Sequence, residues 1–442
     1  MVVASTAPAN AVDVKVSGEY RHSFSTGSDF LGNNSEDFRH RMRLNLALAA
    51  SENLSAFVQF QLNHKDQYGS VDKHGEGSNI STRQLYLDWV VPTTAIKVRM
   101  GRHALGLPAD AFGNNSVLGA GFGNRDGIVV TAPVTDWLGL TGIWARLGTD
   151  GSTKLDTNNT DDMYALAANL KFEGFSGAVY AAYATLDDNS KQETGAFEIT
   201  EFDGTVPVIE AVEASRYARN TWNDGRPAGE GDAYWLGFTS TFTFFDPFTL
   251  KLSAAYGEFN ADNNGDNANG WNVQVKGEYA LPFGTAVLGG WYFSGNDDEG
   301  KGYMPNAGYF NGTNHIYDGY TSLTNSPALG NNFGTWAVQA GIEGVSFLEN
   351  LTHDFHVTYM EGTNDKELGT NTFYLKKGAW TGKMTDDDAS VEFTLNNVYK
   401  IYKNLAAHLE LAYVINDFGD AAEKEGFTED DWYASLTFQY KF

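Results

Sequence analysis

Eleven consecutive residues, Trp432 to Phe442, read W-Y-A-S-L-T-F-Q-Y-K-F, and they constrain the fold more than any other stretch. Trp432, Ala434, Leu436, Phe438, Tyr440 and Phe442 share one parity, while Tyr433, Ser435, Thr437, Gln439 and Lys441 take the other. Successive side chains of a strand point to opposite faces, so this segment is a strand with one apolar and one polar face. A water-soluble edge strand with that much exposed aromatic surface would aggregate. A strand facing lipid on one side and a watery lumen on the other has no such liability.

The pattern recurs along the chain. Val12, Val14, Val16, Tyr20 and Phe24 oppose Asp13, Lys15, Ser17, Glu19 and Arg21; Phe38, Met42, Leu44, Leu46 and Leu48 oppose Arg39, Arg41, Arg43 and Asn45. Leu54, Ala56, Val58, Phe60 and Leu62 oppose Ser55, Gln59, Gln61 and Asn63. Each run is roughly ten residues, enough for a tilted strand to cross a bilayer. Short connections (Ser51–Asn53, Pro92–Thr94, Pro133–Asp136, Glu173–Phe175, Phe245–Pro247, Pro282–Gly284, Lys403–Asn404) alternate with long ones (Ser25–Glu36, Asp66–Asn79, Ala104–Asp126, Asp187–Asp232, Gly295–Asn332, Glu361–Asp388). Short turns on one side and long loops on the other mark a transmembrane antiparallel β-barrel, all-β, with short periplasmic turns and long extracellular loops. The count is about eighteen strands, with sixteen as the alternative if the blurred pair around Ile128 to Leu147 is not two strands. A closed barrel satisfies every backbone group internally, as lipid demands.

The 442 residues carry 48 Gly, only 10 Pro and no Cys, so neither a disulfide framework nor a thiolate metal site is available. No run reaches the eighteen or so apolar residues of a membrane helix. Ala9-Asn10-Ala11 has the small-residue spacing of a signal-peptidase site, so residues 1–11 are read as a signal-peptide remnant and 12–442 as one barrel.

The net charge of −26 argues against nucleic acid as a partner. Acids concentrate in the loops, as in Asp297-Asp298-Glu299 and Asp386-Asp387-Asp388, where they are solvated or share divalent cations with anionic lipid head groups such as those of lipopolysaccharide. Asp262 to Asp266 has a slight calcium-loop character without the later bidentate Glu, which makes Asp262 and Asp266 weak ligand candidates for a loop-bound calcium; no other cofactor is indicated. The bases behave differently. Arg39, Arg41 and Arg43 lie about 7 Å apart on one face, and Arg21, Lys97 and Arg99 share it. Each Arg facing the lipid midplane would cost roughly 2–4 kcal/mol, so that face is the lumen. Glu19 on the neighbouring strand is a candidate internal ion-pair partner.

Neither G-x-S-x-G nor H-E-x-x-H occurs, and His353 and His356 point opposite ways along one strand. The chain is not read as an enzyme.

The alternating terminal strand, with Phe438, Tyr440 and Phe442, resembles the assembly signal of bacterial outer-membrane barrels. Arg83-Gln84-Leu85-Tyr86-Leu87-Asp88-Trp89, a short turn, and Lys97-Val98-Arg99-Met100-Gly101-Arg102 resemble the general porins, with the homotrimeric porins of sulfate-reducing bacteria as the suspected kin. The resemblance implies a homotrimer of water-filled channels in the outer membrane for passive diffusion of small hydrophilic solutes and ions. It implies a third loop, 104–126, folded inward as a constriction opposite a basic wall of Arg39, Arg41, Arg43 and Arg99. That loop offers only Asp110 and Asp126 as acids, so the constriction is expected to be net positive and to pass anions at least as well as cations. Strand parity puts Arg83 and Arg102 on the lipid side unless a bulge intervenes. The alternative is a substrate-specific channel for sugars or small anions, with Tyr86 and Trp235 as lumen-side stacking faces. A structural barrel without conductance is a third class. The aliphatic outward face of the first three strands, latched by Asp66–Asn79, is the expected contact between barrels.

Overall fold

The structure, a computed structural model, describes residues 13–28, 34–62, 80–113, 124–149, 160–186, 191–193, 196–203, 206–212, 215–217, 231–262, 267–295, 310, 312–314, 334–366, 374–376, 379–381, 384–420, 423 and 430–442. The wall starts with β1 (Asp13–Ser28), β2 (Asn34–Ser51), β3 (Leu54–Leu62), β4 (Ile80–Val90), β5 (Lys97–Ala104), β6 (Asn124–Pro133), β7 (Leu138–Thr149), β8 (Thr160–Phe172) and β9 (Phe175–Leu186). Two short pairs follow outside it, β10 (Lys191–Glu193) with β13 (Ser215–Tyr217) and β11 (Ala196–Asp203) with β12 (Val206–Val212). The wall resumes with β14 (Gly231–Phe245), β15 (Phe248–Ala261), β16 (Ala268–Leu281), β17 (Gly284–Phe293), β18 (Thr335–Leu348) and β19 (Leu351–Gly362). After the small pair β20 (Tyr374–Lys376) and β21 (Ala379–Thr381), it ends with β22 (Ala389–Tyr402), β23 (Leu405–Asp417) and β24 (Asp430–Lys441).

The eighteen wall strands form one antiparallel sheet that closes where β1 pairs with both β2 and β24. The expected count of eighteen holds, and the blurred segment is two real strands, β6 and β7. The expected short turns all join neighbouring strands, and Glu349-Asn350 is an additional one. Residues 1–11 lie outside the described residues.

Alternation becomes inside and outside. On β14, Trp235 is 2% exposed whereas the adjacent Leu236 is 58% exposed. Burying a Leu from water is worth about 1.5–3 kcal/mol. A wall of outward Leu, Val and aromatic residues is therefore stable only where its outer solvent is apolar. The outward face of β1 and β2 carries Val14, Val16 and Leu44 but also exposed Tyr20, Phe24 and Phe38, so it is less smoothly aliphatic than expected. The expected latch, residues 66–79, lies outside the described residues.

The seam is made by the terminal strand. Gly18 N donates to Phe442 O at 2.8 Å, and Phe442 N donates back to Gly18 O at 3.1 Å. The Phe442 ring lies over Gly18, where an added Cβ would collide with that ring and sit 2.6 Å from the Arg43 carbonyl oxygen. Gly18→Val is expected to cost about 1–3 kcal/mol through this overpacking, read as a lower urea midpoint for unfolding from lipid vesicles. An unchanged midpoint would show that the ring does not need that space.

Candidate channel constriction

The arginines of β1 and β2 meet on the inner wall because the register places Arg21 directly opposite Arg41 and Glu19 directly opposite Arg43, with Ser23 opposite Arg39. Glu19 is the hub. Its carboxylate accepts from Arg21 Nη2 and Arg41 Nη2, each at 3.1 Å, and from Gln439 Nε2 at 2.8 Å, with Arg21 Nε 2.7 Å away in the ion pair. Arg39 pairs with Asp37 at 2.6 Å, and Arg43 Nε donates to the neutral Gln61 at 2.8 Å.

A fifth guanidinium joins them. The β3–β4 register shifts by one residue between Gln59 and Phe60, which leaves Arg83 as the extra residue of a bulge. Arg83 Nη1 donates to Gln59 Oε1 at 2.9 Å, and Gln59 in turn donates to Asn45 Oδ1 at 2.8 Å. Strand parity alone had put Arg83 outside; the bulge turns it inward. Five guanidinium groups thus share a wall on which Glu19 and Asp37 are the bonded carboxylates among the described residues.

Opposite this wall the lumen is occupied. After β5 the chain turns inward: Leu105 and Leu107 are 6% exposed and Ala111 is 2% exposed. The tip is fastened to the far wall, with Ala111 N donating to Ser253 Oγ at 3.0 Å and Gln274 Nε2 donating to Asp110 Oδ2 at 3.2 Å. Phe112 packs edge-on against Trp291 and Phe310, both at 5.4 Å between ring centres. Gly289 provides the space, since a Cβ there would sit 2.9 Å from the Phe112 ring. Residues 310 and 312–314 also come inward: Gln339 Nε2 donates to Gly312 O and Asn314 N to Glu392 Oε1, each at 2.8 Å. Inward residues of β7 to β15, among them Ile143, Leu147, Met163, Tyr180, Trp235 and Phe259, form one apolar cluster with Leu105 and Leu107. Phe112→Ala should remove about 3 kcal/mol of packing from this latch and so raise single-channel conductance. Unchanged conductance would mean that the loop tip does not limit flow.

The family profile described as Gram-negative porin matches residues 1–299 of the 442. The chain belongs to that family. The porin is therefore an outer-membrane channel protein and not an enzyme. Solved structures from Pseudomonas aeruginosa share its fold: OpdO (TM-score 0.55, 12% identity, 97% of each chain covered), OpdQ (0.54, 13%, covering 97% of this chain and 98% of that one) and OpdK with vanillate (0.52, 11%, covering 97% and 98%). No curated protein sequence matches it.

Within this porin the remaining candidates separate. Arg99 is on the inner wall but neutralised, holding Asp88 through Nε at 2.7 Å and Nη2 at 2.8 Å while lying 4.1 Å over the Tyr86 ring. Lys97 faces the lumen near the short-turn end of β5. Asp110 serves the loop's attachment, and Asp126 is outside the constriction, 66% exposed and paired at 3.3 Å with Arg102. Arg102 therefore stays on the outer face, as parity required. Asp262 follows the last residue of β15 while Asp266 lies outside the described residues, so the calcium pair is not placed. Among the described residues no three His or acidic side chains gather for a metal. Phe438 and Tyr440 face outward on β24, and Phe442 just after it is exposed as well. The sugar-stacking faces do not hold: Tyr86 is covered by Arg99 and stacked on Phe57 at 5.1 Å, and Trp235 is buried. Sequence reasoning placed Arg83 inward only if a bulge intervened and missed residues 310 and 312–314; a local hint of the latch is Gly289, whose open side faces the Phe112 ring.

Proposed function

We propose that this porin forms a water-filled channel for passive diffusion of small hydrophilic solutes and ions, with a constriction that favours anions. The observation that carries the reading is the arginine wall, Arg21, Arg39, Arg41, Arg43 and Arg83, held among the described residues by two carboxylates and two glutamines. Half-buried guanidinium groups that outnumber the carboxylates bonded to them among the described residues are stabilised by mobile anions or water, and a fixed positive field in a narrow passage attracts the former. The inward apolar cluster supports a path along the β1–β5 side, where every solute passes the wall. Under a KCl gradient in planar bilayers, the reversal potential is expected to have the sign of chloride preference. A potassium-selective potential would refute the reading.

A substrate-specific small-anion channel is the second reading. It is favoured by the doubly narrowed lumen, and one structure of the same fold was solved with vanillate. The homotrimer and the kinship with porins of sulfate-reducing bacteria belong to this proposal, as does an outer wall in contact with membrane lipid and lipopolysaccharide. The assembly role of Phe438, Tyr440 and Phe442 rests on their place at the β1–β24 seam. Detergent-extracted protein migrating solely as a monomer on native gels would remove the trimer.

A further inference from the structure

Beneath the inward loop, on the inner faces of β3 to β7, lies a cavity of about 470 Å³ that the arginine wall does not line. Its residues fall into two rows set by the strand register. Lys97, Thr131 and Thr141 stand directly opposite one another on β5, β6 and β7, so their side chains are spaced at about 4.8 Å. The next row towards the loop is Arg99, Val129 and Ile143, capped by Leu105 and Gly106.

The first row is a set of donors. Among the described residues Lys97 has no carboxylate partner, and an ammonium group offers only N–H. Thr141 Oγ1 accepts from Asn169 Nδ2 at 3.2 Å, which leaves its own hydroxyl hydrogen to donate. Thr131, between them, is exposed to the lumen. The bidentate Asp88–Arg99 pair cancels itself, so Lys97 leaves the pocket with a single positive charge. The second row is apolar apart from that neutralised pair. At its upper end His103 is 1% exposed, with Nδ1 3.0 Å from the Ala104 carbonyl oxygen.

We infer that this pocket is a solute-binding subsite for a small amphipathic monoanion, its charged oxygens on Lys97, Thr131 and Thr141 and its branched or cyclic apolar body against Val129, Ile143 and Leu105. The inference rests on the anion-channel reading and adds a station where passing anions are sorted by their apolar part. One charge and three donors suit two anionic oxygens; a dianion would leave one charge unmatched, and a neutral alcohol would leave Lys97 uncompensated. A small anion with no apolar body would leave the Val129–Ile143 row wet.

The test uses the whole porin in planar bilayers, with 3-methylbutanoate, acetate and 3-methylbutanol added to the short-turn side in KCl. Saturable block of current by 3-methylbutanoate is expected, at least tenfold tighter than by acetate or 3-methylbutanol. Lys97→Met should weaken it at least tenfold, as should Thr131→Val with Thr141→Val, while Thr131→Ser with Thr141→Ser retains it. Val129→Thr, which keeps the side-chain shape, should narrow the preference over acetate. Calorimetry on detergent-solubilised protein reads the same affinities where a bound solute does not obstruct current. Equal affinity for acetate and 3-methylbutanoate, or affinities unmoved by both Lys97→Met and the double valine variant, overturns the inference. The reversal potential without added solute tests the anion-channel reading separately, so either can fail alone.

Discussion

Replacing Arg41, Arg43 and Arg83 together by Gln is expected to lower the chloride-to-potassium permeability ratio about tenfold, equivalent to about 1.4 kcal/mol. Arg43 and Arg83 are bonded to Gln61 and Gln59 rather than to carboxylates, so their charge is not locally cancelled. Two charges 4 Å apart interact by about 4 kcal/mol at an effective dielectric of 20, and salt screens the loop acids beyond about 10 Å. On the proposed reading, the nearby guanidinium groups therefore outweigh the protein's net charge of −26 beside the arginine wall. Glutamine keeps hydrogen-bonding capacity and approximate bulk, so the wall should still fold. The ratio is read from reversal potentials across a salt gradient. A triple variant as anion-selective as the parent would locate selectivity elsewhere.

Glu19→Gln should produce the largest loss of stability, about 3 kcal/mol. Removing one member of a buried ion pair typically costs 3–5 kcal/mol because the other charge is stranded. Here two are stranded, Arg21 and Arg41, which face each other across the β1–β2 register. The Glu19 side chain keeps 18% exposure, and remaining hydration puts the effect at the low end of that range. The readout is the urea midpoint for unfolding from vesicles. Arg21→Gln in the same chain should recover part of the loss, since the two replacements are coupled through a shared contact. If the single and double variants unfold at the parent midpoint, the hub is not a stability determinant.

The wall was legible wherever its two faces met two solvents. A period of two cannot drift, so Trp432 to Phe442 and the Arg39–Arg41–Arg43 row assigned inside and outside unambiguously. It blurred at β7 for a physical reason. Ile143, Ala145 and Leu147 face inward but pack against Leu105 and Leu107 instead of water, so both faces of that strand are apolar. The side taken by Arg83 hung on whether a bulge intervened, because one inserted residue in β4 resets parity without leaving a mark in composition. The Asp110–Gln274 contact joins residues 164 apart and has no local signature. Inward Trp235 looked like a stacking surface because exposure inside a barrel depends on which loops fold into it.

The bond from Gln439 to Glu19 spans 420 positions and crosses the joint between the first and last strands. The electrostatic hub and the zipper of the cylinder are thus the same place. A chain still emerging from its insertion machinery has Arg21 and Arg41 in hand but not the glutamine that helps hold their counter-ion. On the anion-channel reading proposed above, the arginine wall reaches its final form only with the last hairpin, so a barrel arrested before that step would be both open along its side and short of one partner at Glu19.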